Sequence, residues 1–238
     1  MGKQMTRWVS KGKCSFCNGT FSKTTMTKHL KSCNQRKAAL ETSSENRKLR
    51  KTKIFHLAVV GRHFPEYWMH LEVSASATLE DLDDFLRDIW VECCGHMSAF
   101  IIQGARYTTG SGIDAMWIDF YGLDDERDMD VALGDALTPG MKFYYEYDFG
   151  TTTELTLRVV SEREGRIKNR SVQLLARNVP PPITCDLCGK IATQVCAQCI
   201  WSDKGWLCDV CAHEHECGDE MFLPVVNSPR VGMCGYAG

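Results

Sequence analysis

The spacing of cysteine and histidine constrains this chain more than any other feature. Cys14 and Cys17 are followed by His29 after eleven residues and by Cys33 after three more. Near the other end stand three Cys-x-x-Cys pairs, Cys185/Cys188, Cys196/Cys199 and Cys208/Cys211, then His213, His215, Cys217 and Cys234. A thiolate pair on a tight turn, with a His/Cys pair one helical turn apart, closes a tetrahedron around zinc. The chain has 13 cysteines, and its N-terminus lacks the apolar core of a secretory signal. The pairs therefore read as metal ligands rather than disulfides, in a reducing, cytoplasmic setting. No stretch approaches the roughly 18 apolar residues of a membrane span, so no membrane partner is expected.

The first ligand group sits in CSFCNGTFSKTTMTKHLKSC, residues 14–33. That run is too polar to build a core alone, whereas a structural zinc ion contributes on the order of 10 kcal/mol to folding. Phe21 and Met26 are its two expected core side chains, and Thr24 or Thr25 is positioned to cap the helix carrying His29. The segment resembles the C2H2-type zinc finger, with cysteine in place of the last histidine and a loop one residue short of the common spacing.

Charge is segregated. Residues 1–53 carry fourteen Lys and Arg against two acidic residues, a formal +12, and the remainder carries −14. Such asymmetry points to a basic arm meeting a polyanion, with DNA the expected partner. The residues expected to meet phosphates are Lys11, Lys13, Lys23, Lys28, Lys31, Arg36, Lys37, Arg47, Lys48, Arg50 and Lys51. Residues 1–37 read as a C2HC finger with its basic arm, and 38–53 as a basic linker or a helix that orders on contact.

Residues 54–178 have the size of an independent domain. Strands are expected at 54–60, 67–73, 98–102, 116–121, 141–149 and 153–160, with a short helical turn near 131–137. Thr78 and Asp81 form a capping pair, and Leu79, Leu82, Phe85, Leu86, Ile89, Trp90 and Cys93 make one buried helical stripe. This succession predicts an α+β fold with a β-grasp-like (ubiquitin-like) central domain. Cys93 reads as core packing, and His56, His63, His70 and His96 lack ligand spacing to one another. The runs YWMHLEVSASATLEDLDDFLRDIW, LGDALTPGMKFYYEYDFG and LPVVNSPRVGMCGYAG resemble the Ri-plasmid orf-three-like family, whose members are also labelled insertion-element passenger proteins. That resemblance implies mobile-element, plasmid or defence biology and no particular reaction. Its members follow YDFGD with Trp and His on the next strand, where this chain has Thr151, Thr152 and Thr153.

PPPI at 180–183 marks a stiff boundary before a C-terminal module, 183–238. Three pairs and a later His/Cys set supply two ions, in an interleaving that resembles the cross-brace of B-box, RING and MYND modules. In that scheme Cys185, Cys188, Cys208 and Cys211 share one ion. Cys196 and Cys199 share the other with His215 and Cys217, and His213 and Cys234 are alternates. Consecutive pairing of the first two Cys-x-x-Cys units stays open. Three zinc ions per chain are expected in all. The module holds three basic and seven acidic residues, with Trp201, Trp206 and Leu207 between ligand pairs, which suits a protein partner better than phosphate. The expected function is a non-enzymatic zinc adaptor without a small-molecule substrate. The competing reading is a metal-dependent enzyme acting on nucleic acid through Asp119, Asp124, Asp125, Glu126, Asp128 and Asp130.

Overall fold

The computed structural model describes residues 9–46, 48, 50–109, 126–167, 171–202 and 204–238. It contains one large mixed sheet with helices on both faces, an α+β fold, and a three-stranded sheet near the C-terminus. The N-terminal hairpin is β1 (Lys11–Cys14) and β2 (Thr20–Ser22), followed by α1 (Lys23–Ser32) and α2 (Asn34–Glu45). The centre comprises β3 (Arg50–Gly61), β4 (Trp68–Ser74), α3 (Leu79–Leu86), β5 (Ser98–Ile102), β6 (Ala105–Thr108) and β7 (Glu126–Asp128). It continues with the short α4 (Leu133–Ala136), β8 (Lys142–Tyr147), β9 (Thr153–Ile167) and β10 (Val172–Asn178). The end carries β11 (Gln194–Cys196), β12 (Trp206–Leu207), α5 (Asp209–His213) and β13 (Phe222–Pro224).

The large sheet runs β2-β1-β10-β4-β3-β9-β8-β5-β6-β7 among the described residues. Its neighbours are antiparallel except for β6 and β7. The α+β class stands. A specific β-grasp topology does not emerge from this order, in which β3 lies antiparallel between β4 and β9. The strand expected at 116–121 lies outside the described residues, as do Asp119, Asp124 and Asp125.

Strand alternation gives the sheet two working faces. Phe55, Leu57, Val59, Met69, Leu71, Val73, Phe143, Tyr145, Leu155 and Leu157 point to one side and pack with Leu79, Leu82, Leu86 and Trp90 from the helical stripe. The α3 N-terminus is fixed by the expected capping box, in which the Thr78 hydroxyl and Asp81 carboxylate each accept from the other's backbone N–H. Beyond Leu86 the helix continues as a π turn, Arg87–Val91, which keeps Trp90 and Val91 buried.

The opposite face is where the N-terminal segment lands. Gly12, Lys13 and Cys14 pair with Asn178, Arg177 and Ala176, so β1 extends the central sheet. Trp68, buried to 1 % exposure, meets Cys14, Met26, Leu30, Cys33, Leu175 and Ala176 in a second core. The indole N–H of Trp68 donates to Ser10 Oγ at 2.8 Å. A Cβ at position 12 would collide with the Arg177 carbonyl and the Trp68 ring, so only glycine permits this approach. The segment expected as a linker is helical through Glu45 and enters β3 at Arg50. Arg36 turns inward to Glu72, a carboxylate 2 % exposed that also takes two bonds from Arg163.

Candidate metal centres

Among the described residues, four groups of Cys and His side chains lie with their ligand atoms within 4.8 Å of one another, and each can hold a metal ion. In the first, Cys14, Cys17, His29 and Cys33 converge. The hairpin turn supplies the first two: Asn18 sits in the left-handed region at φ 56°, and its N–H donates to the Cys14 carbonyl at 2.9 Å. The next N–H, from Gly19, points at Cys17 Sγ at 3.4 Å. The helix supplies the others. Its cap is Ser22, whose hydroxyl accepts from the Thr25 N–H, rather than Thr24 or Thr25. Phe21 stacks on His29 with centroids 3.8 Å apart, which aims the imidazole at Cys17 Sγ, 3.3 Å away. Burial lowers the His29 pKa and so favours the neutral imidazole that ligates metal. Burial works to raise Cys33, yet the Arg36 N–H at the start of α2 helps to draw its pKa below the usual thiol value.

In the C-terminal part, Cys185, Cys188, Cys208 and Cys211 form one group, and Cys196, Cys199, His215 and Cys217 another. The two interleave along the chain. Gly189, at φ 73°, repeats the turn seen after Cys17, with its N–H on the Cys185 carbonyl at 2.9 Å. Sulfur pairs Cys188–Cys208 and Cys199–Cys217 each stand 3.6 Å apart. Zinc–sulfur bonds of about 2.3 Å in a tetrahedron put sulfur atoms roughly 3.8 Å apart, close to both. Burial would raise Cys185, but N–H groups of Cys208, Cys188 and Leu187 bring it down to about 6. His215 Nε2 is buried with no hydrogen-bond partner among the described residues, an orphan that a metal ion would satisfy. His213 closes α5 outside the group.

Cys234 lies elsewhere. It joins Cys93, Cys94 and His96, a fourth group that overturns the count of three ions per chain. The reason is topological. Cys93, Cys94 and His96 follow one another too closely for a recognised spacing, and their fourth member is 138 residues away from His96. Two hints lay in the sequence: a Cys-Cys-Gly-His run, and a cysteine left over from the C-terminal pairing.

The residues expected to meet phosphates are placed unevenly. Lys11, Lys13, Lys28, Lys31, Lys37, Lys48 and Arg50 are exposed. Lys23 is half-buried and donates to the Pro65 carbonyl at 3.1 Å, and burial lowers its pKa. Arg36 serves Glu72, and Lys51 pairs with Glu164 at 2.7 Å. Arg47 lies outside the described residues. Of the acidic centre, Glu126 opens β7 and Asp128 and Asp130 follow, with the Asp130 N–H on Asp128 Oδ1 at 2.7 Å in a local turn.

The family profile described as "Plasmid pRiA4b ORF-3-like protein" matches residues 54–189, more than half of the chain. The chain belongs to this family. The match covers the central sheet and its helical cover, and ends before most of the C-terminal ligands and begins after all of the N-terminal ones. Among solved structures, the chain is similar to a crystal structure of a protein of unknown function, MM3350, from Methanosarcina mazei Go1. That likeness has 17 % identity and a TM-score of 0.41, covering 52 % of this chain and 67 % of that one. No curated protein matches the chain. Among the described residues, no helix is long and apolar enough to cross a membrane.

Proposed function

We propose that this member of the pRiA4b ORF-3-like family is a non-enzymatic zinc-binding adaptor that holds nucleic acid on its N-terminal finger and protein on its C-terminal module. The observation that carries the nucleic-acid half is a division of labour among the N-terminal cations. Arg36, Lys23 and Lys51 are engaged with the body of the protein, whereas Lys28, Lys31 and Lys37 project from the exposed sides of α1 and α2. In α1, Met26 and Leu30 face the sheet while Lys28 and Lys31 are exposed, and exposed helical lysines of this kind suit phosphate contacts. Double-stranded DNA is the favoured polyanion.

The C-terminal half of the reading rests on exposed apolar side chains within an acidic module. Trp201, Ile191, Val210 and Leu187 are each more than half exposed. Trp201 and Trp206 also line, with Phe64 and Met233, a cleft of about 330 Å³ beside the central domain. A basic peptide with an apolar side chain to seat in the cleft fits this charge and lining better than a phosphate does.

Fluorescence anisotropy with a labelled DNA duplex across a salt series tests the first half. The full chain should bind more weakly as salt rises. The triple variant Lys28→Ala, Lys31→Ala, Lys37→Ala should lower the log–log slope by about 0.9 for each phosphate it no longer neutralises. Salt-independent binding, or a triple variant that binds like the parent, contradicts the reading.

A further inference from the structure

The helix that covers the main core ends in Glu92, and the chain then turns through Cys93, Cys94, Gly95 and His96 before β5. The C-terminal tail meets this corner. Ser228 donates to the Trp90 carbonyl at 2.5 Å. Arg230, with no exposed surface, donates to the Thr151 carbonyl and Thr153 hydroxyl at 3.0 Å and to Asp148 at 2.7 Å. These bonds hold the tail in register. Four residues later Cys234 adopts φ 45°, a left-handed conformation unfavourable for a side chain bearing Cβ, between Gly232 and Gly235 at φ 80° and 70°. That turn places its sulfur 3.8 Å from Cys94 Sγ and 3.2 Å from His96 Nε2.

We propose that Cys93, Cys94, His96 and Cys234 form a fourth metal centre, taking a divalent thiophilic ion of the zinc class and clamping the C-terminal tail onto the central domain. The edges of the group support it. Cys93 and Cys94 sulfurs are 3.6 Å apart, and Cys94 Sγ lies 3.0 Å from His96 Nε2. A tetrahedral zinc site has sulfur–sulfur edges of roughly 3.8 Å and sulfur–nitrogen edges of roughly 3.6 Å, close to these four separations, and all four donor atoms lie within 4.8 Å of one another. A cation stands beside the site, shared with Asp148, whose Oδ2 also lies 3.5 Å from His96 Nε2. Three thiolates on a dication leave a net −1, and the buried Arg230 guanidinium donates to Cys93 Sγ at 3.4 Å. The Tyr147 hydroxyl accepts from the backbone N–H groups of Cys93 and His96, each at 3.3 Å, which fixes the turn that carries three of the four donors.

The ligand inventory closes on the same assignment. With this centre all 13 cysteines, together with His29, His96 and His215, divide into four sets of four. No cysteine is left spare. This centre also differs from the others. Each of those contains at least one buried cysteine, whereas here Cys94 and Cys234 are exposed and no ligand is buried. It is therefore the centre that gives up its ion first.

Elemental analysis of the full-length, zinc-replete protein beside Cys94→Ser and Cys234→Ser tests the assignment. Each variant should hold one ion per chain fewer than the parent, and its tail should become the first site of proteolytic cutting. Equal metal content in folded variants overturns the proposal. If the variants aggregate, the parent decides alone. Under a phosphine reductant, iodoacetamide should leave Cys94 and Cys234 unmodified in the zinc-replete protein and label both on mild chelation, before any cysteine of the other three groups. Rapid labelling of both in the replete protein overturns the assignment.

Discussion

The two ends of this protein use the same ligand chemistry in opposite structural settings. At the N-terminus the metal-ligand group is welded to the sheet: β1 pairs with β10, and Met26 and Leu30 share a core with Trp68 and Leu175. At the C-terminus the core is made mostly of the ligands themselves, Cys185, Cys196 and Cys208 with Leu207 and Ala212. Removing metal from the first takes away one of several supports. Removing it from the second takes away the core. A metal site thus organises a module in proportion to how little else the module buries.

The sharpest way to break that contrast is metal removal. A structural zinc site is worth on the order of 10 kcal/mol, so with zinc on the candidate C-terminal groups, chelation, or Cys196→Ser, should abolish the three-stranded sheet β12-β11-β13 outright, with protease cutting between 183 and 224 as the readout. Cys14→Ser should loosen α1 only in part, since Met26 and Leu30 stay packed on Trp68, while β3, β4 and β9 remain. The next largest effect should come from the apolar weld. Trp68→Ala should cost about 3–5 kcal/mol in denaturant unfolding, because it opens a cavity between finger and sheet. An effect confined to a few tenths would mean that the finger stands alone.

A third test uses the pair of histidines beneath α2. His56 Nε2 and His70 Nδ1 share a hydrogen bond of 2.9 Å, beside the Glu72 carboxylate and Arg36. Burial first, then the Arg36 charge, lowers His56 to about 4, and burial, then His56, lowers His70 to about 3. Both folded values lie below an unfolded value of roughly 6.5. The unfolded chain therefore takes up protons first, and stability is full above that pH and falls as pH drops towards 4. At pH 5.5 the loss should be about 1.4 kcal/mol per histidine, and His70→Gln should flatten the slope relative to the parent. The smallest effect concerns Arg36→Ala. Glu72 retains Arg163, so the expected loss is about 1–2 kcal/mol of stability, with DNA affinity changed less than by the Lys28, Lys31 and Lys37 substitutions.

Much of this was legible in the sequence where the signal is local. The candidate finger ligands and the C-terminal Cys-x-x-Cys pairs follow from short spacings, although the pairing of the C-terminal units stayed open, and the Thr78–Asp81 capping box follows from a three-residue interval. Long-range pairing was not legible. Nothing in KGKC announces that Gly12 will lie against Asn178, and a polar run too poor to build a core borrows one from Trp68 across the chain. Leu30 gives no local signal for the same reason, since its burial comes from the sheet rather than from the finger. The outward or inward turn of Arg36 likewise depends on a carboxylate 36 residues away, which composition cannot reveal. The tail cysteine illustrates the limit most plainly, because its partners are fixed by where Arg230 is buried.

The most direct measurement is backbone hydrogen exchange followed segment by segment before and after stripping metal from the full-length protein. The account predicts that protection vanishes across residues 183–224, declines only in part across α1, and persists in β3, β8 and β9. Undiminished protection of the C-terminal strands in metal-free protein, or loss of the central strands in step with them, would contradict it.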